Sequence, residues 1–162
     1  MARAKGFSLV ELLIVVTVIL LLAAIAIPNL LRSRVAANEA SAVGSLRAIN
    51  DAEITYNLAY PNPGFACALS QLGPPSGGGA ASSAGAGLID AALASGSKSG
   101  YNFAPGSCPV ATNSNIVTGY QWGADPITPG STGQRHFCTD STVVIKSDPT
   151  SSSTCLVSGS PI

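Results

Sequence analysis

The hydrophobic pattern of the chain changes at Pro28. From residue 12 to residue 27 only Thr17 is polar, and with residues 7–10 the apolar run approaches the roughly 20 residues that a helix needs to cross the hydrocarbon core of a bilayer. Pro28 lacks an N–H and its ring crowds the preceding turn, so we expect a helix break there, as a kink or a local loss of helix. The pattern predicts a transmembrane helix over residues 7–29.

After Pro28 the apolar positions lie on one side of a predicted helix. They recur with a period close to 3.6 residues through residues 30–58, whereas Arg34, Glu39, Arg47 and Asp51 fall elsewhere. This segment predicts an amphipathic helix that covers a sheet. Its apolar side consists of Leu31, Val35, Ala42, Leu46, Ile49, Glu53 or Ile54, and Leu58.

The chain becomes loop-like over residues 59–99. Pro61, Pro63 and Gly64 end the helix, and a low-complexity tract rich in Gly, Ala and Ser begins after Pro74 and Pro75. Residues 88–94 predict one short helix in this stretch.

Residues 100–162 contain four short segments that are typical of an antiparallel sheet, because they are aromatic or β-branched and are separated by Gly, Pro, Asn and Asp. A turn at residues 140 and 141 joins the last two. Such a sheet would bury one face against the amphipathic helix and leave its other face open to solvent. The predicted strands are residues 101–103, 116–122, 135–139 and 142–146.

Glu11 is the one acidic residue inside the first apolar run. An ionised carboxylate at the centre of a bilayer costs on the order of 2.5 to 3.5 kcal/mol, and less towards the end of the helix. A cut between Gly6 and Phe7 would expose an α-amino group, which is positively charged near neutral pH. Glu11 of one copy could then pair with the Phe7 nitrogen of a staggered neighbour.

The run Lys5-Gly6-Phe7-Ser8-Leu9-Val10-Glu11, followed by an apolar helix with Pro28 just beyond it, resembles the class III signal of type IV pilins and pseudopilins. The resemblance extends to about Tyr60, and it is greatest to a type IVa major pilin. It implies cleavage after Gly6 by a prepilin peptidase, methylation of the new N-terminal Phe7, and guidance of subunit addition by Glu11. It also implies that the segment around Pro28 loses its helical structure and becomes extended in some filaments.

The resemblance implies an α+β, pilin-like fold, in which a long N-terminal helix with a membrane-spanning first half packs on a small antiparallel β-sheet. The implied partners are other copies of the chain in a helical homopolymer, the prepilin peptidase/methyltransferase, an inner-membrane assembly platform, and membrane lipid before assembly. The expected organisation is a leader peptide (1–6), a transmembrane and assembly helix (7–29), an amphipathic helix (30–58), an αβ-loop (59–99), and a sheet with a disulfide-linked C-terminal region (100–162).

Four cysteines suit an oxidising compartment, and they allow three pairings between which the sequence does not choose. The resemblance favours Cys138 with Cys155, because many pilins close a C-terminal disulfide loop. That choice leaves Cys67 with Cys108.

The flanking charges do not orient the helix, since Arg3 and Lys5 precede it while Arg32 and Arg34 follow it. The short leader favours a cytoplasmic N-terminus and a single pass through a bacterial inner membrane, with an extracellular pilus or a periplasmic pseudopilus after assembly. Loss of the leader would leave six basic and eight acidic residues, so we expect no nucleic-acid partner.

Three other interpretations stay open. The first is an ordinary secretory signal peptide cut near Ala24-Ile25-Ala26, and the second is a simple anchor with Glu11 at the headgroups. Either would give an anchored or secreted binding module that does not polymerise. Within the family, the alternative is the major pseudopilin of a type II secretion system.

No catalytic, metal or cofactor site is expected. The chain has one histidine, His136, and no Gly-x-Ser-x-Gly elbow, while His136 with Cys138 supplies at most two metal ligands. Asp125, Asp140 and Asp148 are read as turn residues, with calcium a minor alternative at the first two. Solvated strand positions, or else an adhesive surface, are expected for Trp122, Arg135 and His136.

Overall fold

The computed structural model describes residues 6–162, which divide into two compact units. The first unit ends at Arg34 and the second comprises Val35–Ile162, and the first helix contributes to both. The elements are α1 Leu9–Ala59, α2 Leu69–Leu72, a 3₁₀ turn Ser76–Gly78, α3 Ala91–Ala94, β1 Ser97–Lys98, β2 Tyr101–Pro105, β3 Gln121–Pro126, β4 His136–Asp140, β5 Lys146–Asp148, α4 Ser152–Ser158 and β6 Ser160–Pro161.

The first unit is helical from Leu9 onwards. Within residues 6–162, α1 is the one helix long and apolar enough to cross a membrane. The large apolar side chains from residue 7 to residue 31 are between 47% and 82% exposed, so residues 6–34 form no buried core.

Pro28 does not interrupt α1, which is assigned as one 51-residue helix with this residue inside it. The predicted loss of helix is therefore wrong for the single chain. Two side chains support the backbone around the proline: Asn29 Nδ2 donates to the carbonyl of Ile25 at 3.1 Å, and Ser33 Oγ donates to the carbonyl of Asn29 at 3.0 Å. The missing Pro28 donor removes one bond from a long helix, and the helical turns on both sides remain.

The second unit contains a six-stranded antiparallel meander in the order β1-β2-β3-β4-β5-β6, against which the second part of α1 packs. Ala124 of β3 lies opposite Phe103 of β2 and Phe137 of β4. These residues face the helix and form the core with Leu46, Ile49, Tyr56, Tyr101 and Trp122. The predicted α+β, pilin-like arrangement of a long N-terminal apolar helix and a small antiparallel sheet is confirmed.

Two of the four predicted strands start later than expected. Residues 116–120 precede β3 because this stretch bonds to loops instead of the sheet: Val117 N–H donates to Pro63 O at 2.9 Å, and Thr118 N–H donates to Pro109 O at 2.8 Å. Residues 142–145 precede β5 because the Asp140 carboxylate accepts from Thr142 N–H at 2.9 Å, and Val143 adopts a positive φ of 65°. Both departures come from contacts that prolong a loop.

The sheet face turned away from α1 is partly covered, which corrects the expectation of an open face. Helix α4 packs on β3, β4 and β5 there. A methyl group at Gly123 would lie 2.7 Å from Ser152 Oγ, so this glycine permits the close approach of α4. The sequence has no long apolar stripe over residues 152–158 to predict such a helix.

Candidate functional site

The candidate processing site lies just before α1. Gly6, Phe7 and Ser8 have no regular secondary structure, and Phe7 is 82% exposed. No atom lies within 4 Å of the place where a side chain on Gly6 would begin. Residues 1–5 of the expected leader lie outside the described residues. Gly6 and Phe7, which flank the expected cleavage point, are therefore accessible to another protein.

Glu11 lies in the first turn of α1 and is exposed. Its Oε2 accepts the backbone N–H of Ser8 at 3.3 Å, which is one half of a Ser-x-x-Glu capping box. Among residues 6–162 no ion pair involves Glu11. The contact between Glu11 and Ser8 was not among the sequence-based predictions, although their three-residue spacing is a signal for it.

Two other glutamates of α1 lie in the second unit, and both are buried. Glu53 has no exposed surface. Its two oxygens accept the Ala66 backbone N–H and Trp122 Nε1–H, each at 2.8 Å. Burial raises the pKa of Glu53 to about 7, although these two hydrogen bonds act in the opposite direction and lower it.

The sequence left Glu53 and Ile54 as alternatives for the apolar side, and the structure buries Glu53 while leaving Ile54 44% exposed. Trp122 was expected at a solvated or adhesive position, and that expectation is wrong, since it is 1% exposed. Glu53 and Trp122 are buried side by side because the hydrogen bond between them satisfies the carboxylate and the indole N–H.

Glu39 was expected on the polar side of the helix, and it is only 8% exposed. It accepts the backbone N–H of Gln134 at 2.9 Å and pairs with Arg135, whose Nη2 lies 2.7 Å from Oε2. Burial opposes ionisation, but these donors outweigh it, and the pKa of Glu39 is lowered. Arg135 therefore holds the β3–β4 loop to α1, and it is not a free surface cation.

His136, Asp125 and Ser152 lie together but do not form a catalytic relay. Asp125 Oδ1 lies 2.5 Å from His136 Nδ1, and Asp125 Oδ2 accepts Ser152 Oγ–H at 2.7 Å. The serine hydroxyl is thus bonded to the carboxylate and not to the imidazole, whereas a relay requires the serine on the histidine. Asp125 also accepts Ser152 N–H at 3.2 Å, so the cluster fastens the start of α4.

The residues considered for metal binding are dispersed. Within the described range, no three His, Cys, Asp or Glu side chains are placed to hold an ion together. Asp140 accepts from Thr142 in its turn, and Asp148 accepts from Thr150 N–H at 2.7 Å and from Ser158 Oγ at 2.5 Å. These contacts give Asp140 and Asp148 roles in turns and in holding α4.

The four cysteines form two disulfides, Cys67–Cys108 and Cys138–Cys155, with Cα atoms 6.0 Å and 5.9 Å apart. These are the pairs favoured in the sequence analysis. The first joins the loop after α1 to the loop between β2 and β3. The second joins β4 to α4 and so holds this helix against the sheet.

The N-terminal segment of the chain is similar to segments of known proteins. A family model described as the prokaryotic N-terminal methylation motif matches residues 1–27. This match contains Gly6, Phe7 and Glu11, and it agrees with the resemblance to type IV pilins expected from the sequence.

Among curated proteins, the chain is similar to the type IV wide pilus major component PilA4 of Thermus thermophilus, with 59% identity over 39 residues. The match covers 24% of this chain and 30% of that relative, so the aligned part spans less than a third of the relative's length. No solved structure matches the chain. The similarity to the pilus component thus concerns one short segment, and it supports the predicted relationship to type IV pilins.

Proposed function

We propose that the chain is the structural subunit of a type IV pilus. It is inserted as a prepilin into a bacterial inner membrane with its N-terminus in the cytoplasm, cut after Gly6, and methylated at Phe7. It then polymerises through its N-terminal helix into an extracellular filament. The observation that carries this proposal is Glu11, an exposed carboxylate on an apolar helix, without a cationic partner among the described residues.

The apolar surface of the first unit requires a partner outside the chain. Side chains exposed by 47% to 82% over residues 7–31 form a band far larger than a soluble monomer tolerates. Before assembly this partner is membrane lipid. In the filament the partner is the same helix of neighbouring copies, so the apolar surface leaves the bilayer without entering water.

Glu11 explains why neighbouring copies would polymerise with a fixed stagger. Its bond to Ser8 N–H, at 3.3 Å, is long and supplies only one donor. Cleavage after Gly6 creates an α-amino group on Phe7, and methylation of an amine keeps its positive charge. Pairing of Glu11 with the Phe7 nitrogen of the next copy neutralises two charges that are unfavourable in an apolar setting.

The proposal also specifies the partners. A prepilin peptidase/methyltransferase acts on the Gly6–Phe7 bond. This bond lies before the start of α1. An inner-membrane assembly platform then adds the processed subunit to the filament. The similarity of the N-terminal segment to a pilus major component supports the pilus over the secretion pseudopilus.

The start of the mature chain tests this function. Intact-mass and N-terminal peptide mass spectrometry of the protein from sheared surface filaments should find a chain beginning with methylated Phe7. A chain that begins near Ile27 would show conventional secretion, and a retained leader would contradict processing. Filaments composed mainly of another protein would remove the structural-subunit role even if Phe7 were methylated.

A further inference from the structure

A groove of about 430 Å³ lies on the second unit, between α1, the turn after β4 and the residue after β6. Its two walls differ in character. The α1 wall carries Arg47 and Asp51, and both residues are exposed. On the opposite wall the apolar side chains of Val143, Val144 and Ile162 are 43%, 42% and 52% exposed. The groove therefore has one charged wall and one apolar wall.

Hydrogen bonds fix the two walls relative to each other. Asn50, which has no exposed surface, donates from Nδ2 to Thr139 Oγ1 at 2.9 Å and to the carbonyl of Val143 at 3.3 Å. Val143 is held at a φ of 65°, which is unfavourable for a β-branched residue. Ile162 N–H donates to the carbonyl of Ile145 at 3.1 Å. Because the walls are already ordered in the folded chain, a ligand would not have to order them.

The two charges on the α1 wall are not paired with each other. No ion pair among residues 6–162 involves Arg47 or Asp51. A cation that precedes an acid by four residues is the less favourable order for a pair within one helix. This separation places the two residues about 6 Å apart along the helix axis. A ligand with one acidic and one basic group at this spacing would satisfy both side chains.

An extended peptide has the required spacing. Side chains two residues apart on an extended chain point to the same side at a distance of about 6.6 Å, and the side chains between them point to the other side. A peptide along the groove would therefore turn alternate side chains to the α1 wall and to the apolar wall. The volume of the groove lies within the roughly 300 to 1,000 Å³ that is typical of ligand sites. The fitting segment alternates charged and apolar residues, with one acid and one base.

The chain itself does not supply such a segment in an accessible form. Among its 162 residues, the one Lys or Arg that lies two positions from an Asp or Glu is Lys146, beside Asp148. Both residues belong to β5, which pairs with β4, and Asp148 is buried. The pattern therefore points to a different protein as the occupant.

We propose that this groove binds an extended segment of another protein, with an acidic and a basic residue two positions apart. The acid binds Arg47 and the base binds Asp51, while the intervening apolar side chains lie on Val144 and Ile162. The apolar wall excludes water from one side of the two ion pairs, which strengthens them over fully exposed pairs. The inference concerns the second unit alone and does not depend on filament formation.

Two labelled pentapeptides of identical composition test the spacing. Fluorescence anisotropy of the full chain in detergent compares the peptide Val-Glu-Val-Lys-Val with its isomer Val-Glu-Lys-Val-Val, both with amidated C-termini. In the isomer the charges are adjacent, so that they point to opposite sides and only one can face α1. The first peptide should bind about fivefold more tightly, because the isomer loses one ion pair.

Charge reversal on the protein tests the location. Arg47→Asp leaves two acids on the α1 wall and should transfer the preference to the peptide Val-Lys-Val-Lys-Val. Asp51→Arg leaves two cations and should transfer it to Val-Glu-Val-Glu-Val. Val144→Ser is the matched control, because it should weaken binding of Val-Glu-Val-Lys-Val while its advantage over the isomer persists. None of these side chains belongs to the core, and near-ultraviolet circular dichroism checks that each variant is folded.

Three results would overturn the inference. Equal affinity for the two isomers would mean that the spacing is not recognised, and the absence of binding at millimolar concentration would mean that the groove takes no peptide. Unchanged preferences in both charge variants would place the peptides elsewhere on the protein or on the detergent. Since the assay uses dispersed chains, failure of the proposed structural role would leave its result unchanged.

Discussion

Three glutamates on one helix behave differently in the two units of the molecule. In the first unit, Glu11 is exposed on an apolar surface and accepts one long hydrogen bond, from Ser8. In the second unit, Glu39 and Glu53 are buried, and each is bonded to groups of the sheet unit. Among residues 6–162 the Glu11 carboxylate has no strong partner, whereas Glu39 and Glu53 each have one.

This difference shows how one helix serves two purposes. Carboxylates that are satisfied within the chain hold α1 to its sheet and determine the stability of the second unit. In the proposed filament the exposed Glu11 carboxylate would favour association, because its partner would lie on another copy. Three changes test this difference between the carboxylates.

The largest effect is expected for Glu11→Ala. The variant should insert, be cleaved and fold as the unmodified chain does, yet yield no filaments, because the neighbouring Phe7 amine then lacks its counter-charge. Electron microscopy and sedimentation of sheared filaments measure the loss. Glu11→Asp is the matched control, since it keeps the charge and should retain part of the yield. A normal amount of filament from Glu11→Ala would contradict the pairing.

The second effect concerns the pH dependence of stability through Glu53. Its pKa is raised to about 7 in the fold, above the ordinary value of 4.5, so the fold favours the protonated form. The resulting stabilisation is fully present below pH 4.5 and is lost as pH rises through about 7. We expect the free energy of unfolding to fall by on the order of 3 kcal/mol over this interval.

Denaturant unfolding of the detergent-solubilised chain, followed by the fluorescence of Trp122, measures this slope. Trp122 is the one tryptophan and donates directly to Glu53, so its emission reports the site. Glu53→Gln is the comparison: it lowers stability at every pH, because an amide NH₂ must face one of the two donors, but it removes the slope. An unchanged slope in Glu53→Gln would place the titration elsewhere.

The smallest effect is expected for Arg135→Ala. The Arg135 side chain is half exposed while Glu39 is largely buried, and Glu39 keeps the backbone N–H of Gln134 as a donor. Loss of the cation should therefore destabilise the second unit by only about 1 kcal/mol. The deficit should be fully present above pH 4.5 and shrink in acid, as pH falls through the lowered pKa of Glu39.

The same unfolding assay at pH 7 and at a series of pH values below 4.5 tests this prediction for Arg135→Ala. Arg135→Lys should retain part of the stability, because a point charge replaces the fork of the guanidinium. An equal deficit across the whole series would mean that the packing of Arg135 on Phe137, with 5.4 Å between guanidinium and ring, outweighs the ion pair.

The features that could be predicted are those decided by neighbours in the chain. The apolar run before Pro28 determines a helix wherever it is placed, and the spacing of Gly6, Phe7 and Glu11 is readable without a fold. The change of hydrophobic period after Pro28 predicted a helix that covers a sheet, and the resemblance to pilins supplied the fold class. Strands around residues 101 and 136 were found because their apolar and aromatic residues lie between turn residues.

The features that sequence reasoning missed depend on distant residues. Glu39 and Glu53 were placed on the helix by periodicity alone, but their partners Arg135 and Trp122 lie 96 and 69 residues further along the chain. Helix α4 forms on the sheet through Asp125 and the bond between Cys138 and Cys155, neither of which affects the local pattern.

The apolar helix, the N-terminal motif and the carboxylate at its start can be read from local sequence, because each follows from residues within one or two turns of each other. The burial of polar groups of α1, the starts of β3 and β5, and the packing of α4 on the far face of the sheet depend on the folded chain. The reason is that burial of a charge depends on donors brought from elsewhere in the fold, and no local pattern contains them.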